Sequence, residues 1–253
     1  MRAARIPVSL LLVVAASACT SFYEVPIEMP IQAKLDVTPF SRVLVAGFVA
    51  AGSEDVDTNL ETVRLLRSQL RQKSSLKVID SDVLPLQEMA LRDLPQPAAE
   101  ATAEPATPPA ITDEKDLDLA GRVFADTDYW KKVGEEFQGP LIVTGTLLFQ
   151  SHARSGYVQR EQEVYDSFGR RRVVPVRTYM ERKGFILKPK FIFIDGRTGA
   201  TLYSETFREE VLYNAEQSTP ALSSYFELMD RLLPSFLTTL STQKIRGSRV
   251  LLR

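Results

Sequence analysis

The sequence predicts an α/β (α+β) fold, in which a single mixed or antiparallel sheet is covered by helices. Short apolar runs typical of buried strands alternate with stretches that have helical periodicity. A long polar segment with strand-like flanks predicts, in addition, a protruding polar β-hairpin. The 253 residues are 44% hydrophobic and 25% charged, which is ordinary for a globular protein and sufficient for one core.

The amino terminus has the three-part layout of an export signal. Arg2 and Arg5 precede an apolar stretch over residues 6–16, which is shorter than the roughly 20 residues that a membrane-spanning helix needs. Cys19 is the only cysteine, which excludes an intramolecular disulfide. The segment ASAC, residues 16–19, resembles a bacterial lipobox, although the first of these positions is usually leucine in that motif and is alanine here.

The lipobox resemblance implies that residues 1–18 are removed as a signal peptide and that the sulfur of Cys19 carries diacylglycerol. It also implies an acyl chain, such as palmitate, on the new amino terminus. Thr20 stands where aspartate retains lipoproteins at the inner membrane in the bacteria whose sorting is understood. The resemblance therefore implies an outer-membrane lipoprotein that faces the periplasm. The alternative is a plain secreted protein with an incidental cysteine.

The segment after the cysteine changes from extended chain to alternating strands and helices. Residues 19–40 contain three prolines and no clear period, which predicts a lipid-anchored tether. Residues 42–50 and 76–82 are predicted strands. Between them, Thr58 as the N-cap and Glu61 at the third helical position form a capping box, which predicts the start of an amphipathic helix.

Residues 94–114 interrupt the domain that we predict over residues 41–253. This segment is rich in proline, alanine and threonine and contains no aromatic residue. Because it has little to bury, we predict a disordered, Pro-rich insertion loop. Its two flanks belong to one domain, because the strands on either side are too few to fold alone.

The second half of the chain alternates between helix and strand patterns. The sequence predicts a short helix over residues 129–137 and strands over residues 140–150, 185–194 and 200–211. Residues 219–242 carry the strongest helical stripe of the chain, and Pro234 in its middle predicts a kink or a break.

The stretch FIFIDGRTGATLYSE, residues 191–205, is consistent with two different structures. Apolar residues that end in Asp195 are typical of the magnesium-binding strand of a nucleotide hydrolase. Such an enzyme also needs a G-x-x-x-x-G-K-[ST] phosphate cradle, which the chain lacks. The segment DGRTG instead supplies the residues that a tight turn needs, so the sequence predicts a hairpin between two antiparallel strands.

Three pieces of the chain occur in an order that resembles a known family. They are VLVAGFVA with the following helix and LKVIDSD, then EEFQGPLIVTGTL, then LKPKFIFIDGRTGATLYSE. Over about residues 42–240 they resemble the α/β domain of the curli-secretion lipoprotein (CsgG) family, whose fold is shared by peptidoglycan-synthase activator lipoproteins and the amino-terminal domain of TolB. The resemblance implies a non-enzymatic protein that binds partners or assembles rings. The curli channel also inserts apolar hairpins into the membrane, whereas the alternation over residues 157–182 is polar, which argues against a pore of that type.

The sequence contains no recognisable catalytic or metal-binding pattern. His152 is the single histidine, and neither a cysteine near it nor a G-x-S-x-G elbow accompanies it. Tyr129 and Trp130 have the chemistry to stack on a sugar or a base, but an anchoring role in the core fits their helical context better. We therefore predict that the protein is not an enzyme and has no catalytic residue, metal site or cofactor.

Charge indicates one candidate binding segment. The formal net charge is −1, which gives no whole-chain argument for nucleic acid. Residues 154–190, however, carry ten basic and four acidic side chains. This excess predicts either a solvated arm with guarded edges or contact with an anionic partner protein, phospholipid headgroups or a cell-wall polymer. The candidate partner-binding residues are Arg170, Arg171, Arg172, Arg177, Arg182 and Lys183.

Together, these observations predict an outer-membrane lipoprotein that serves as a non-catalytic binding or assembly component of a cell-envelope complex. The expected partners are the membrane, through the lipid anchor, and an envelope protein or cell-wall polymer, but not nucleic acid. A homo-oligomer is an open alternative. The rival functions are a subunit of an oligomeric secretion channel and an envelope enzyme of unknown chemistry.

Overall fold

A computed structural model describes residues 22–53, 55–93, 111–214, 216–217 and 219–252. The chain forms two compact units, one from residues 34–241 and the other from residues 1–33 and 242–253. The predicted signal peptide, the predicted lipid attachment at Cys19 and most of the predicted insertion, residues 94–110, lie outside the described residues.

A mixed sheet of six strands forms the centre of the larger unit. β2 (Arg42–Gly52) lies parallel to β3 (Lys77–Val78) and to β4 (Leu141–Tyr165), and β4 pairs antiparallel with β5 (Arg171–Asp195). β6 (Thr201–Thr206) and β7 (Glu209–Asn214) pair antiparallel with successive parts of β5. The strand order is therefore β3-β2-β4-β5-β6, with β7 on the edge of β5 that β6 also uses.

Helices cover both faces of this sheet. On one face lie α1 (Thr58–Lys73) and α5 (Ala221–Leu240), whose Leu66 and Phe236 belong to the same buried cluster as Val45 and Phe193 of the strands. On the other face lie α2 (Leu86–Asp93), α3 (Glu114–Ala120), a 3₁₀ helix (Gly121–Ala125) and α4 (Thr127–Glu136), which enclose a second cluster around Ile142. The predicted fold class is confirmed.

The turn in the stretch FIFIDGRTGATLYSE has the predicted form. β5 and β6 are antiparallel, with Phe193 opposite Tyr203. The Asp195 N–H donates to the Ala200 carbonyl at 2.9 Å, and Gly199 has a φ of +75°, which a residue with a side chain rarely adopts. The hairpin interpretation is therefore confirmed.

Two local predictions in the first half need correction. The N-cap of α1 is Asp57 rather than Thr58, because the Asp57 carboxylate accepts the Leu60 N–H at 3.0 Å and Thr58 is already helical. The strand predicted over residues 76–82 is only two residues long. Ile79 still donates its N–H to the Val43 carbonyl at 2.9 Å, but residues 80–82 do not pair with the sheet.

Pro234 does not break the long carboxyl-terminal helix, which runs without interruption from Ala221 to Leu240. The ring removes one hydrogen bond, to the carbonyl of Asp230. Both Pro234 and Asp230 lie on the exposed face of the helix, where water can satisfy that carbonyl. The buried stripe on the opposite face continues past the proline, and packing therefore maintains the helix on both sides of it.

The described residues include 111–114, the end of the segment predicted as a disordered insertion. Ile111 is buried in the second cluster, and Asp113 caps α3 with its side chain in a capping box with Asp116. The last four residues of the predicted insertion therefore belong to the folded unit.

The smaller unit is a two-stranded antiparallel ribbon. β1 (Phe22–Ile31) pairs along its whole length with β8 (Gln243–Leu252), from Phe22 opposite Leu252 to Ile31 opposite Gln243. Residues 22–31 of the predicted tether, residues 19–40, are thus extended and paired with the carboxyl-terminal residues. The end of the predicted tether belongs to the larger unit instead, because Leu35 and Phe40 are buried in its first cluster.

Candidate functional site

The candidate binding segment forms an arm that projects beyond the sheet. β4 and β5 are 25 residues long each and pair without interruption from Leu141–Asp195 to Tyr165–Arg171. β2 pairs with β4 only as far as Phe149, and β7 pairs with β5 only from Arg182 to Leu187. Residues 154–182, here called the arm, therefore form a two-stranded ribbon about 40 Å long.

The tip of the arm is organised by Asp166. Its carboxylate accepts the backbone N–H groups of Phe168 and Arg170 at 2.9 Å each and the Arg170 guanidinium at 3.1 Å. The backbone donor of Arg170 is the largest cause of the lowered pKa of Asp166. Phe168 is 81% exposed at the tip, with the Arg170 guanidinium 5.3 Å from its ring centre. The turn is thus fixed by local hydrogen bonds and presents an aromatic ring to solvent.

Register divides the arm into two faces. Successive residues of a strand point to opposite sides, and residues directly opposite each other share a side. One side, here called the mixed face, carries the odd-numbered residues of both strands, and the other, here called the arginine face, carries the even-numbered ones. The arginine face continues the side of the sheet that α2, α3 and α4 cover.

The positive and negative charges of the mixed face largely cancel. It contains Glu161, Glu163 and Glu181 together with Arg171 and Arg177. Arg171 pairs with Glu163 at 2.7 Å. Nearer the sheet, Tyr157 and Tyr179 lie directly opposite each other with ring centres 5.4 Å apart. This face therefore presents little net charge.

The arginine face has a different composition, because its charged residues are all arginines. These are Arg154, Arg160, Arg172 and Arg182. Between them stand apolar side chains, of which Val158, Val174, Val176 and Met180 are half-buried and Val164 is exposed. Among the described residues, no carboxylate pairs with Arg160 or Arg182, whereas Arg172 lies 3.8 Å from Asp166 and Arg154 lies 3.6 Å from Glu210 of β7.

A groove of about 470 Å³ marks the base of this face. Its lining includes the guanidinium-bearing residues Arg154 and Arg182, which lie opposite each other, and the apolar residues Val158, Met180 and Leu212. Glu210, which lies 3.6 Å from Arg154, also lies 3.8 Å from His152 Nε2. The groove thus combines two cations with an apolar floor.

The structure separates the six residues predicted to bind a partner. Arg170 is at the tip, Arg171 and Arg177 are on the mixed face, and Lys183 continues the mixed face opposite Ala153. Only Arg172 and Arg182 lie on the arginine face. Arg160 and the valines that complete this face were not among the predicted site residues. The signal that indicates them is the alternation of Val174, Val176 and Met180 along β5.

Other residues considered from the sequence have structural roles. Asp195 is buried and accepts three hydrogen bonds from Arg197, at 2.8–2.9 Å, two of them from the guanidinium. These bonds and the Arg197 charge lower the pKa of Asp195 against the opposing effect of burial. Trp130 is buried and donates its Nε1–H to the Val123 carbonyl at 2.9 Å, as an anchoring residue does. Within the described part of the chain, no group of three or more histidine, cysteine, aspartate or glutamate residues is arranged to hold a metal ion.

No helix among the described residues is both long and apolar enough to cross a membrane. No protein-family model matches the chain, and no curated protein matches it. The solved structures similar to it include lipoprotein GNA1162 from Neisseria meningitidis, at 11% identity and a TM-score of 0.33, over 78% of this chain and 97% of that chain. A neuraminyllactose-binding hemagglutinin homolog from Helicobacter pylori has 9% identity and a TM-score of 0.36, over 83% of this chain and 88% of that chain. Both TM-scores are low, and the resemblance to the curli-secretion family remains a prediction from the sequence.

Proposed function

We propose that this chain is an outer-membrane lipoprotein that acts as a non-catalytic binding or assembly component of a cell-envelope complex, and that the arm makes the contact. The observation that carries this proposal is the separation of charge on the arm. All acidic side chains of its strands lie on the mixed face, and four arginines with apolar neighbours lie on the other.

The chemistry of the arginine face fits an anionic surface. A guanidinium offers a planar fork of donors that matches a carboxylate or a phosphate, and it is more weakly hydrated than an ammonium group. The half-buried valines between the arginines leave apolar area that a bound partner can cover. The mixed face has its own ion pair between Arg171 and Glu163, so its cations are already partly compensated.

The experiment compares two variants that remove the same charge from opposite faces. The first variant, Arg160→Ser with Arg172→Ser, removes two of the four arginines of the arginine face. The matched control, Arg171→Ser with Arg177→Ser, removes two arginines from the mixed face. In a crosslinking pull-down from native envelopes at low salt, the first variant is expected to recover several-fold less partner than wild type. About 0.5 M salt is expected to reduce wild-type recovery in the same way, because exposed charges are then screened beyond about 4–5 Å.

Equal recovery with both variants and wild type at every salt concentration would show that the arm is only a guarded edge. An equal loss with both variants would show that total charge matters and the arginine face does not. Thermal unfolding of each variant serves as the folding control, because exposed substitutions of this kind change stability by about 0.5 kcal/mol or less.

The lipid anchor has its own test. Intact-mass measurement of the wild-type protein is expected to show a chain that begins at Cys19 and carries added acyl mass. Cys19→Ala is expected to release the protein from the membrane fraction or to leave its leader uncleaved. A mature protein that starts elsewhere and carries no lipid mass would contradict the anchor.

A further inference from the structure

β1 alternates between large apolar residues and glutamate or proline. Glutamate and proline occupy its even positions from residue 24 to residue 30. The odd positions are all apolar and project from one side of the ribbon: Tyr23, Val25, Ile27, Met29 and Ile31. We call this side the ribbon face.

The ribbon face is largely uncovered. Tyr23 is 67% exposed and Met29 is 64% exposed. Ile27 stands opposite Gly247, where an added Cβ would meet nothing within 4 Å. The reverse side carries Glu24, Glu28 and Arg246, with an ion pair of 3.0 Å between Glu28 and Arg246, beside the exposed Val250. The two sides of the ribbon therefore differ in their charge, and the uninterrupted apolar row of β1 lies on the ribbon face.

The prolines limit what can cover the ribbon face. Pro26 and Pro30 have no N–H to donate, so the even positions of β1 are those whose N–H groups point away from β8. Two of the five even positions thus lack a donor on the outer edge of β1. A proline-interrupted edge resists the addition of another strand. The exposed apolar area is therefore available for contact through its face and is poorly suited to extension of the sheet.

We propose that the ribbon face lies on the surface of the lipid bilayer. This inference rests on the proposed lipid anchor. Phe22, where β1 begins, is three residues from Cys19, so an extended chain places the start of the ribbon within about 10 Å of an acylated cysteine. Apolar side chains with a tyrosine at one end are the composition that partitions into the headgroup region. Arg249, which is exposed opposite Val25, can extend its guanidinium to lipid phosphates.

The experiment uses the full-length acylated protein in vesicles of phosphatidylethanolamine and phosphatidylglycerol. Because the sulfur of Cys19 is blocked by lipid, Ile27→Cys provides one reactive thiol on the ribbon face, and Glu28→Cys provides the matched thiol on the reverse side. Each is labelled with an environment-sensitive fluorophore. Vesicles with brominated acyl chains are expected to quench the label at position 27 several-fold more than the label at position 28, with a blue-shifted emission only at position 27.

Intact mass of the same samples separates the two proposals. Acylated protein whose two labels are equally water-exposed would overturn the ribbon inference and leave the lipid anchor standing. A label at position 27 that is shielded but unaffected by brominated chains would also overturn it, since a protein or a second copy would then cover the face. Protein without acyl mass would contradict the proposed lipid anchor and also the ribbon inference, which rests on that anchor. Unchanged thermal unfolding of the labelled variants controls for folding.

Discussion

The inner and outer halves of β4 and β5 belong to the same two strands and have opposite properties. Residues 141–149 are buried on both faces, and so is most of the facing part of β5. Beyond residue 153, β4 has no buried residue. The hydrogen-bond register is the same throughout, with no bulge between the halves. Backbone pairing alone therefore does not distinguish the packed half from the projecting half.

The difference is in what covers the strands. The inner halves have helices on both sides, which bury apolar residues of either parity, as in Val143 and Ile142. The outer halves have no covering element among the described residues, and their polar side chains are exposed to water. We therefore expect stability to be concentrated in the inner half, and the binding surface that we propose lies in the outer half. The predictions below test this division.

The largest effect is expected from truncating an aromatic residue of the inner half. Phe191 is buried in β5, with its ring centre 5.9 Å from that of Phe48 and 4.8 Å from that of Phe236. Phe191→Ala is expected to lower the free energy of unfolding by about 3–5 kcal/mol through lost burial and a cavity. Tyr179→Ala on the same strand is expected to cost less than about 1 kcal/mol. Denaturant unfolding measures both, and equal losses would contradict the division.

The second-largest loss of stability is expected at one of two glycines on β4, with the other glycine as its control. Gly145 has a φ of +147°, and a Cβ there would lie 1.8 Å from the Lys190 carbonyl oxygen. Gly156, in the outer half, has no atom within 4 Å of such a Cβ. Gly145→Ala is expected to destabilise the protein by at least about 2 kcal/mol, because the backbone must shift and the φ is strained. Gly156→Ala is expected to stay within about 0.5 kcal/mol of wild type in the same unfolding assay.

The fold was predictable where local sequence determines it. The turn at DGRTG follows from its own residues, and β2, the inner half of β4 and the helices α1, α4 and α5 follow from apolar periodicity. The helices α2 and α3 were not predicted, and the strand predicted over residues 200–211 is two strands, β6 and β7. The N-cap was misplaced by one residue because Asp57 and Thr58 both have capping side chains, and only the observed hydrogen bond to Leu60 decides between them. The uninterrupted helix through Pro234 depends on packing against the sheet, which the sequence does not display.

The candidate surfaces were less predictable because they depend on pairing between distant residues. The excess of positive charge over residues 154–190 is visible in the sequence, but its division between two faces requires the register of β4 against β5. The ribbon requires residue 22 to pair with residue 252, at opposite ends of the chain. Such long-range pairs have no local signal, so β8 was not predicted as a strand.

Acid titration is expected to have an intermediate effect in the inner half. Asp195 has a lowered pKa because Arg197 bonds to its charged form. The ordinary pKa of an aspartate is about 4, and the pKa of Asp195 in the folded protein is lower. The stabilisation that the Asp195–Arg197 interaction gives to the fold is therefore complete above about pH 4 and is lost as the pH falls through the folded pKa. Asp195→Asn is expected to cost about 1–2 kcal/mol at neutral pH, after allowance for the exposure of Arg197. Unfolding measured against pH should show this difference shrinking in acid; a constant difference would assign it to packing.

The smallest effect on stability is expected from removing most of the arm. The Asp166 N–H donates to the Arg170 carbonyl, so by alternation the even-numbered pairs are the hydrogen-bonded ones, and Val158 with Thr178 can flank a two-residue turn. Replacing residues 159–177 with Asn-Gly closes the shortened hairpin with a turn that suits its twist. The thermal midpoint is expected to change by no more than a few degrees, because the removed residues pack against none of the helices described here. Partner recovery from native envelopes is expected to fall at least as far as in the Arg160→Ser, Arg172→Ser variant. A stable protein with full partner recovery would place the binding surface outside residues 159–177 and overturn the division.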